Sequence, residues 1–163
     1  MKKHIFYILL ILSFQSCGFY SFTGVNTTAE TYQVNFFQNN APIIEPGLDR
    51  DFTLALQDLI LNQTNLDLVK TGGDLVYEGE IVEYRISPMS ATAEQTAAQN
   101  RLSIGVMVRY FNTDDPEKDF ERRFSFFYDF PATTQVQAIK EEAYQVIFER
   151  ITQDIVNATL ADW

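Results

Sequence analysis

The fold of this chain is decided by the stretch that runs from Arg101 to Asn112, RLSIGVMVRYFN. From Leu102 to Tyr110 every second side chain is apolar, namely Leu102, Ile104, Val106, Val108 and Tyr110. A period of two is that of a β-strand, whose successive side chains point to opposite faces of a sheet. The sequence therefore predicts a strand with one apolar face and a second face that carries Arg101, Ser103, Gly105, Met107, Arg109 and Phe111.

The stretches on both sides of this strand also have the period of a strand. Residues 112–116, NTDDP, favour a hairpin loop, and residues 119–130 then predict a returning strand. Before it, residues 75–86 predict a long strand in which neither face is uniformly apolar, so both faces are expected to be partly covered. Shorter strands are predicted at residues 31–37 and 66–69, and the small polar residues 89–100 predict a loop.

Two segments have the period of an amphipathic helix instead. From Leu48 to about Gln63, apolar residues recur at spacings of three and four. A second helix is predicted from Thr134 to about Ala161, and Val136 and Val146 are expected to widen its apolar stripe. The stripe itself consists of residues spaced four apart, Ile139, Ala143, Ile147, Ile151 and Ile155.

Strands that cluster, rather than alternate with helices, indicate an α+β fold. We predict a mostly antiparallel sheet of four strands, possibly five, with the two helices packed on one face. The opposite face is then either a binding surface or is covered by the leader or a loop.

The N-terminus has the pattern of a bacterial lipoprotein precursor. Lys2 and Lys3 precede an uncharged apolar run, and the segment SFQSCG places small residues around Cys17. We therefore expect a signal peptide at residues 1–16, lipidation of Cys17, an anchored leader at 17–30 and one domain at 31–163. The alternative is a buried N-terminal strand or helix in which the cysteine occurs by chance.

Composition excludes several classes of function. Loss of Lys2 and Lys3 with the signal leaves 10 basic against 22 acidic residues, a net charge of about −12, which disfavours nucleic acid as a partner. The one histidine, His4, lies in the signal and the one cysteine is the predicted lipid carrier. The predicted domain therefore lacks a Cys/His zinc site and a Ser-His-Asp or Cys-His nucleophile. An enzyme that uses carboxylates alone remains open, but no acidic pair stands out by its spacing.

The order of these features resembles the LptE family of lipopolysaccharide-assembly lipoproteins, in its Bacteroidetes form. A lipidated cysteine is followed by GFYSFTG at 18–24, a strand and a helix, then GDLVYEGEI at 73–81 with Tyr84 and Pro88 after it. A hairpin and a long terminal helix complete the chain. The resemblance covers nearly the whole predicted mature chain, and the order of its elements carries it, because none of the motifs is catalytic.

The resemblance implies a protein that catalyses no reaction and needs no cofactor or metal. Such proteins lie in the periplasm on the inner leaflet of the outer membrane, where they plug and support the LptD β-barrel translocon. They help to deliver lipopolysaccharide to the cell surface and are thought to contact this glycolipid. Here that implies a lipid anchor at Cys17 and a periplasm-facing domain. The alternative is a lipid-anchored periplasmic module that binds another lipid or glycan.

Lipid A phosphates favour arginine as a binding partner. The candidate residues lie on two adjacent predicted strands, and they are Arg101, Arg109, Arg122 and Arg123. The alternative for each is a cross-strand ion pair with Glu121 or another acidic neighbour.

Overall fold

The computed structural model describes residues 27–89 and 98–160. In chain order, its elements are β1 (Thr31–Val34), β2 (Gln38–Asn39), α1 (Leu48–Gln63), β3 (Asp67–Leu68), β4 (Leu75–Met89), β5 (Gln99–Asn112), β6 (Phe120–Pro131) and α2 (Val136–Leu160). A short 3₁₀ turn, Pro116–Lys118, lies between β5 and β6. The predicted signal peptide, Cys17 and most of the predicted leader lie outside the described residues.

The strands form one mixed sheet of six, in the order β3-β1-β4-β5-β6, with β2 pairing to β4 beyond β1. The α+β class with two helices is confirmed, but the sheet predicted as mostly antiparallel with four or five strands is wrong in detail. Only β4, β5 and β6 pair antiparallel, whereas β1, β2 and β3 pair in parallel. The reason is that α1 carries the chain back along the sheet, so β3 and β4, the next two strands, run in the same direction as β1.

A β-bulge in β4 explains why its sequence showed no uniformly apolar face. The register with β5 shifts between Ile81 and Glu83, so Val82 is an extra residue in the ladder. Leu75, Tyr77 and Ile81 are buried before the bulge, and Tyr84 is buried on the same face after it. Strict alternation along the strand therefore fails at this one residue.

Both helices cover the face of the sheet that carries these side chains. The predicted stripe of α2 is buried at Ala143, Ile147, Ile151 and Ile155. It is extended by a second buried row that was not predicted, Tyr144, Phe148, Thr152, Val156 and Leu160. The expectation for Val146 is wrong, because its side chain is 39% exposed. The helix contacts both β6 and α1, so its buried surface is wider than a single stripe.

Large aromatic side chains fill the core between sheet and helices. Tyr77 and Tyr110 lie with their ring centroids 5.2 Å apart, and the Tyr77 hydroxyl is 3.0 Å from the Thr159 hydroxyl on α2. Burial raises the pKa of Tyr110 to about 12 and that of Tyr77 further, so both stay neutral. Within residues 27–89 and 98–160, no helix is both long and apolar enough to cross a membrane.

Candidate functional site

The face of the sheet opposite the helices, here called the open face, is lined by cross-strand ion pairs. Its side chains come from alternate positions of the three long strands. One row consists of Glu78, Arg109 and Glu121, and a second of Glu83, Gly105 and Ser125. Arg101 and Asp129 form a third row near the other end of β5. This face is therefore polar, in contrast to the apolar face beneath the helices.

Two arginines of the open face are held by carboxylates on neighbouring strands. Arg101 donates to both oxygens of Asp129 at 2.7 Å, and its guanidinium lies 3.5 Å from the Phe127 ring centroid. Arg109 donates to Glu78 at 3.0 Å and lies 3.9 Å from Glu121. The hydrogen bond to Glu78 raises the pKa of Arg109, so the guanidinium stays charged. Both positive charges are thus already balanced by an acidic neighbour.

The arrangement around Glu83 is different, because one carboxylate there faces two arginines. Arg85 donates to Glu83 at 2.9 Å from the same strand. Arg123 reaches Glu83 from β6, two strands away, by lying across Gly105. A Cβ at position 105 would lie 2.9 Å from the Arg123 guanidinium, so the glycine provides the space for this reach. Two guanidiniums against one carboxylate leave one positive charge unbalanced.

An apolar groove of about 360 Å³ lies beside this cluster. Its lining comes from the loop before α1, from the bulge of β4 and from β6. It consists of Pro42, Ile43, Val82, Glu83, Tyr84, Arg85 and Arg123. Ile43 is 54% exposed and Glu83 is mostly buried, with 18% of its side chain exposed. The groove therefore joins an apolar wall to a positively charged end, which suits a ligand that has both an apolar and an anionic part.

The structure places three of the four arginines that the sequence singled out on the same face of the sheet, in separate ion pairs. Arg101, Arg109 and Arg123 all lie on the open face, and each forms a cross-strand ion pair. Arg122 points to the helix-covered side, where its guanidinium lies 4.5 Å from the Phe124 ring centroid. A single anion on the open face can thus meet Arg123 but not Arg122.

Sequence reasoning missed Arg85, and the bulge is the reason. Alternation counted from Leu75 places Arg85 on the covered face, but the extra residue Val82 moves both Glu83 and Arg85 to the open face. The available signal was a strand whose polar and apolar positions changed places after Ile81. In the part of the chain that the structure describes, no group of three His, Cys, Asp or Glu residues could hold a metal ion.

Several solved structures share this fold at low sequence identity. A minor lipoprotein from Acinetobacter baumannii matches at a TM-score of 0.52 and 9% identity, over 80% of this chain and 92% of that one. Lipoprotein B from Nitrosomonas europaea matches at 0.53 and 13% identity, over 85% and 86%. A hypothetical protein from Chlamydia trachomatis matches at 0.56 and 11% identity, over 82% and 99%. At such identities the likeness concerns the fold alone.

Comparison with the sequences of curated proteins gives no match. The model of one protein family, described as LptE, lipopolysaccharide-assembly, matches residues 29–159. That range runs from two residues before β1 to the last turn of α2 and includes all of the groove beside Glu83. The chain therefore belongs to the LptE family, as its sequence resemblance had predicted.

Proposed function

We propose that this protein is a non-enzymatic outer-membrane lipoprotein that plugs and supports an LptD-type β-barrel during lipopolysaccharide assembly. The observation that carries the proposal is the family match across residues 29–159. In this proposal, residues 1–16 are removed, Cys17 carries the acyl chains, and residues 17–30 link the anchor to a periplasm-facing domain at 31–163.

The open face supports the barrel part of this proposal. The lumen of an outer-membrane barrel is polar, so a protein that occupies it needs a hydrophilic surface. The ion pairs of Arg101 and Arg109 provide such a surface on the sheet. Because both arginines are neutralised within the domain, the parts of the face around them can approach a polar wall without burying an unpaired charge.

The groove beside Glu83 supports direct contact with lipopolysaccharide. Among the four arginines predicted from the sequence, Arg123 has the setting that best fits lipid A, with Arg85 as its neighbour across Glu83. A lipid A phosphate would be met by the two guanidiniums, and part of an acyl chain by Pro42, Ile43 and Val82. Arg101 and Arg109 would contribute at most by exchanging a carboxylate partner for a phosphate.

The first experiment captures the protein from its native cell through a C-terminal tag, in mild detergent, and identifies partners by mass spectrometry. We expect a large outer-membrane β-barrel in stoichiometric amount. Capture of a lipid or glycan without a barrel would favour the alternative, a lipid-anchored periplasmic binding module. A Cys17→Ala variant serves as the control for the anchor, because it should carry no acyl chains and should leave the outer-membrane fraction.

A second experiment tests the lipopolysaccharide contact with purified protein and purified lipopolysaccharide. The double variant Arg85→Gln, Arg123→Gln should bind at least about tenfold more weakly, because a charge-assisted pair to phosphate is worth about 1.5 to 3 kcal/mol. The matched control is Arg50→Gln, which removes an exposed arginine of α1 that is paired with Asp51. Equal binding by the double variant and the control would show that the groove does not hold the phosphate.

A further inference from the structure

The two edges of the sheet differ in how much backbone they leave open. On one side the edge strand is β3, which has two residues, and short edge strands resist pairing with other chains. On the other side the edge strand is β6, with twelve residues that pair with β5 without a register shift from Phe120 to Pro131. Within the described ranges, no strand pairs with the outer edge of β6.

Two aromatic rings cover the second half of this edge. Phe126 and Phe127 are neighbours in the strand and point to opposite faces, yet their ring centroids are 5.3 Å apart and nearly parallel. The inner edge of β6 is hydrogen-bonded to β5, so the two side chains meet around the outer edge. There the rings lie between Arg101 on the open face and Arg150 on α2. The part of the edge that stays accessible is the first half, Phe120 to Ser125.

A groove of about 530 Å³ follows this accessible half, between β6 and the last turns of α2. Arg122, Arg123, Phe124 and Ser125 line it from the strand, and Asp154, Asn157 and Ala158 line it from the helix. Ser125 and Ala158 are small, so the space beside the backbone of β6 is not filled by side chains. An extended peptide alongside an edge strand needs a groove of this kind.

The groove also carries one guanidinium, that of Arg122, that forms no ion pair with a residue that the structure describes. Arg123 is paired with Glu83, and Asp154 is paired with Arg150 at 3.1 Å. Arg122 lies 4.5 and 5.5 Å from the ring centroids of Phe124 and Phe120, and no described carboxylate lies within ion-pair distance of it. A partner segment that bears a carboxylate would complement this guanidinium.

We propose that the edge of β6 from Phe120 to Ser125 accepts an extended, acidic segment of a partner protein as an additional strand of the sheet. Backbone hydrogen bonds to β6 supply the affinity, and a carboxylate opposite Arg122 fixes the register. The inference rests on the proposed function in one respect, since the partner is the protein captured through the tag. The groove beside Glu83 is a different groove, and it is the one proposed above to bind lipopolysaccharide.

The experiment uses the captured native complex and the free full-length protein. Backbone amide exchange over residues 120–125 should slow at least tenfold in the complex, because strand addition gives outward-facing amides a partner. A photo-crosslinking amino acid in place of Ser125 should form a covalent crosslink to the partner, and the crosslinked residue should lie in an acidic segment of that partner. The matched control position is Gln145, exposed on α2.

Charge reversal provides an independent readout. Arg122→Glu should reduce the captured partner at least tenfold, whereas Lys118→Glu, the same charge change in the turn before β6, should leave it unchanged. Equal melting temperatures of the two variants exclude a folding defect. If the partner is captured but residues 120–125 show no protection, or position 125 joins a second copy or a lipid, this inference fails and the proposed function stands. Capture of no partner would overturn both.

Discussion

The two faces of the sheet use opposite chemistry. The covered face buries Tyr77, Ile81 and Val106 completely against the helices. The open face, a few ångströms away on the same strands, holds its side chains through ion pairs such as that of Arg101 with Asp129. Alternation along the strand produces both faces from one sequence, so each long strand serves the core and the surface at once.

The difference in energy between the faces is large. A fully buried aliphatic or aromatic side chain contributes about 1.5 to 3 kcal/mol, whereas a solvent-exposed ion pair contributes about 0 to 1 kcal/mol. The covered face therefore sets the stability of the domain. The open face contributes little to stability, so the residues on it can suit a binding partner without loss of the fold.

The sharpest test compares two neighbouring residues of α2. Ile147 is fully buried and Val146 is 39% exposed. Ile147→Asp places an unpaired carboxylate in the core and should destabilise the domain by about 4 kcal/mol or more, enough to unfold a large fraction of it. Val146→Asp should change stability by less than about 0.5 kcal/mol. Thermal and urea denaturation of both variants provide the measurement.

Similar melting temperatures for these two variants would mean that the covered face is not the core. A large loss for Val146→Asp alone would mean that α2 is rotated about its axis by about one residue, so that Val146 and not Ile147 faces the sheet.

Two glycines allow a milder version of the same comparison. At Gly79 an added Cβ would lie 2.0 Å from the Met107 carbonyl oxygen and 2.8 Å from the Phe37 ring. At Gly105 the nearest atoms belong to the Arg123 guanidinium, which is the flexible end of a side chain. Gly79→Ala should therefore destabilise by about 1 to 3 kcal/mol, and Gly105→Ala by less than about 1 kcal/mol. Urea denaturation at fixed pH distinguishes them.

Gly105→Ala has a second expected consequence, because it displaces Arg123 from Glu83. Its lipopolysaccharide binding should change although its stability hardly does. If Gly105→Ala is the more destabilising of the two, the reach of Arg123 across β5 matters more to the fold than burial on the covered face.

Much of the fold could be predicted from the sequence, because the periods of two and 3.6 are local properties. The bounds of α1 at Leu48 and Gln63 followed from apolar spacing alone and are confirmed. The strands predicted at residues 31–37 and 66–69 correspond to β1 and β3, but their parallel pairing was missed. The strand β2 was not recognised as separate, since a two-residue strand has too few side chains to show a period. The parallel pairing depends on where α1 returns the chain, which is a property of the tertiary structure.

The candidate site could be predicted only in part. The strands that carry Arg101, Arg109 and Arg123 were correct, since strict alternation holds along β5 and β6. Arg85 was not predicted as a site residue, because the bulge at Val82 moves each later side chain of β4 to the opposite face of the sheet. The approach of Ile43 to this cluster brings together residues about forty positions apart, which no local pattern encodes.

The smallest expected effect concerns an exposed polar contact at the start of β1. Asp74 accepts hydrogen bonds from the backbone amides of Glu30 and Thr31 and from the Thr31 hydroxyl, at 2.8 to 3.0 Å. These bonds, above all the one from the Thr31 hydroxyl, lower the pKa of Asp74 below its ordinary value of 3.8. The unfolded chain therefore binds this proton more readily than the folded domain.

The stabilisation by Asp74 is thus present above its unfolded pKa and is lost as the pH falls through the lower, folded pKa. Asp74→Asn keeps an acceptor but not the charge, so it should lower the melting temperature slightly at pH 7 and by less below pH 4. Glu141→Gln, the same charge change at an exposed residue of α2, is the control. A difference between wild type and Asp74→Asn that grows on acidification would have the wrong sign. It would mean that the carboxylate does not hold β1 in place, and that this exposed contact, unlike the core, contributes nothing to the fold.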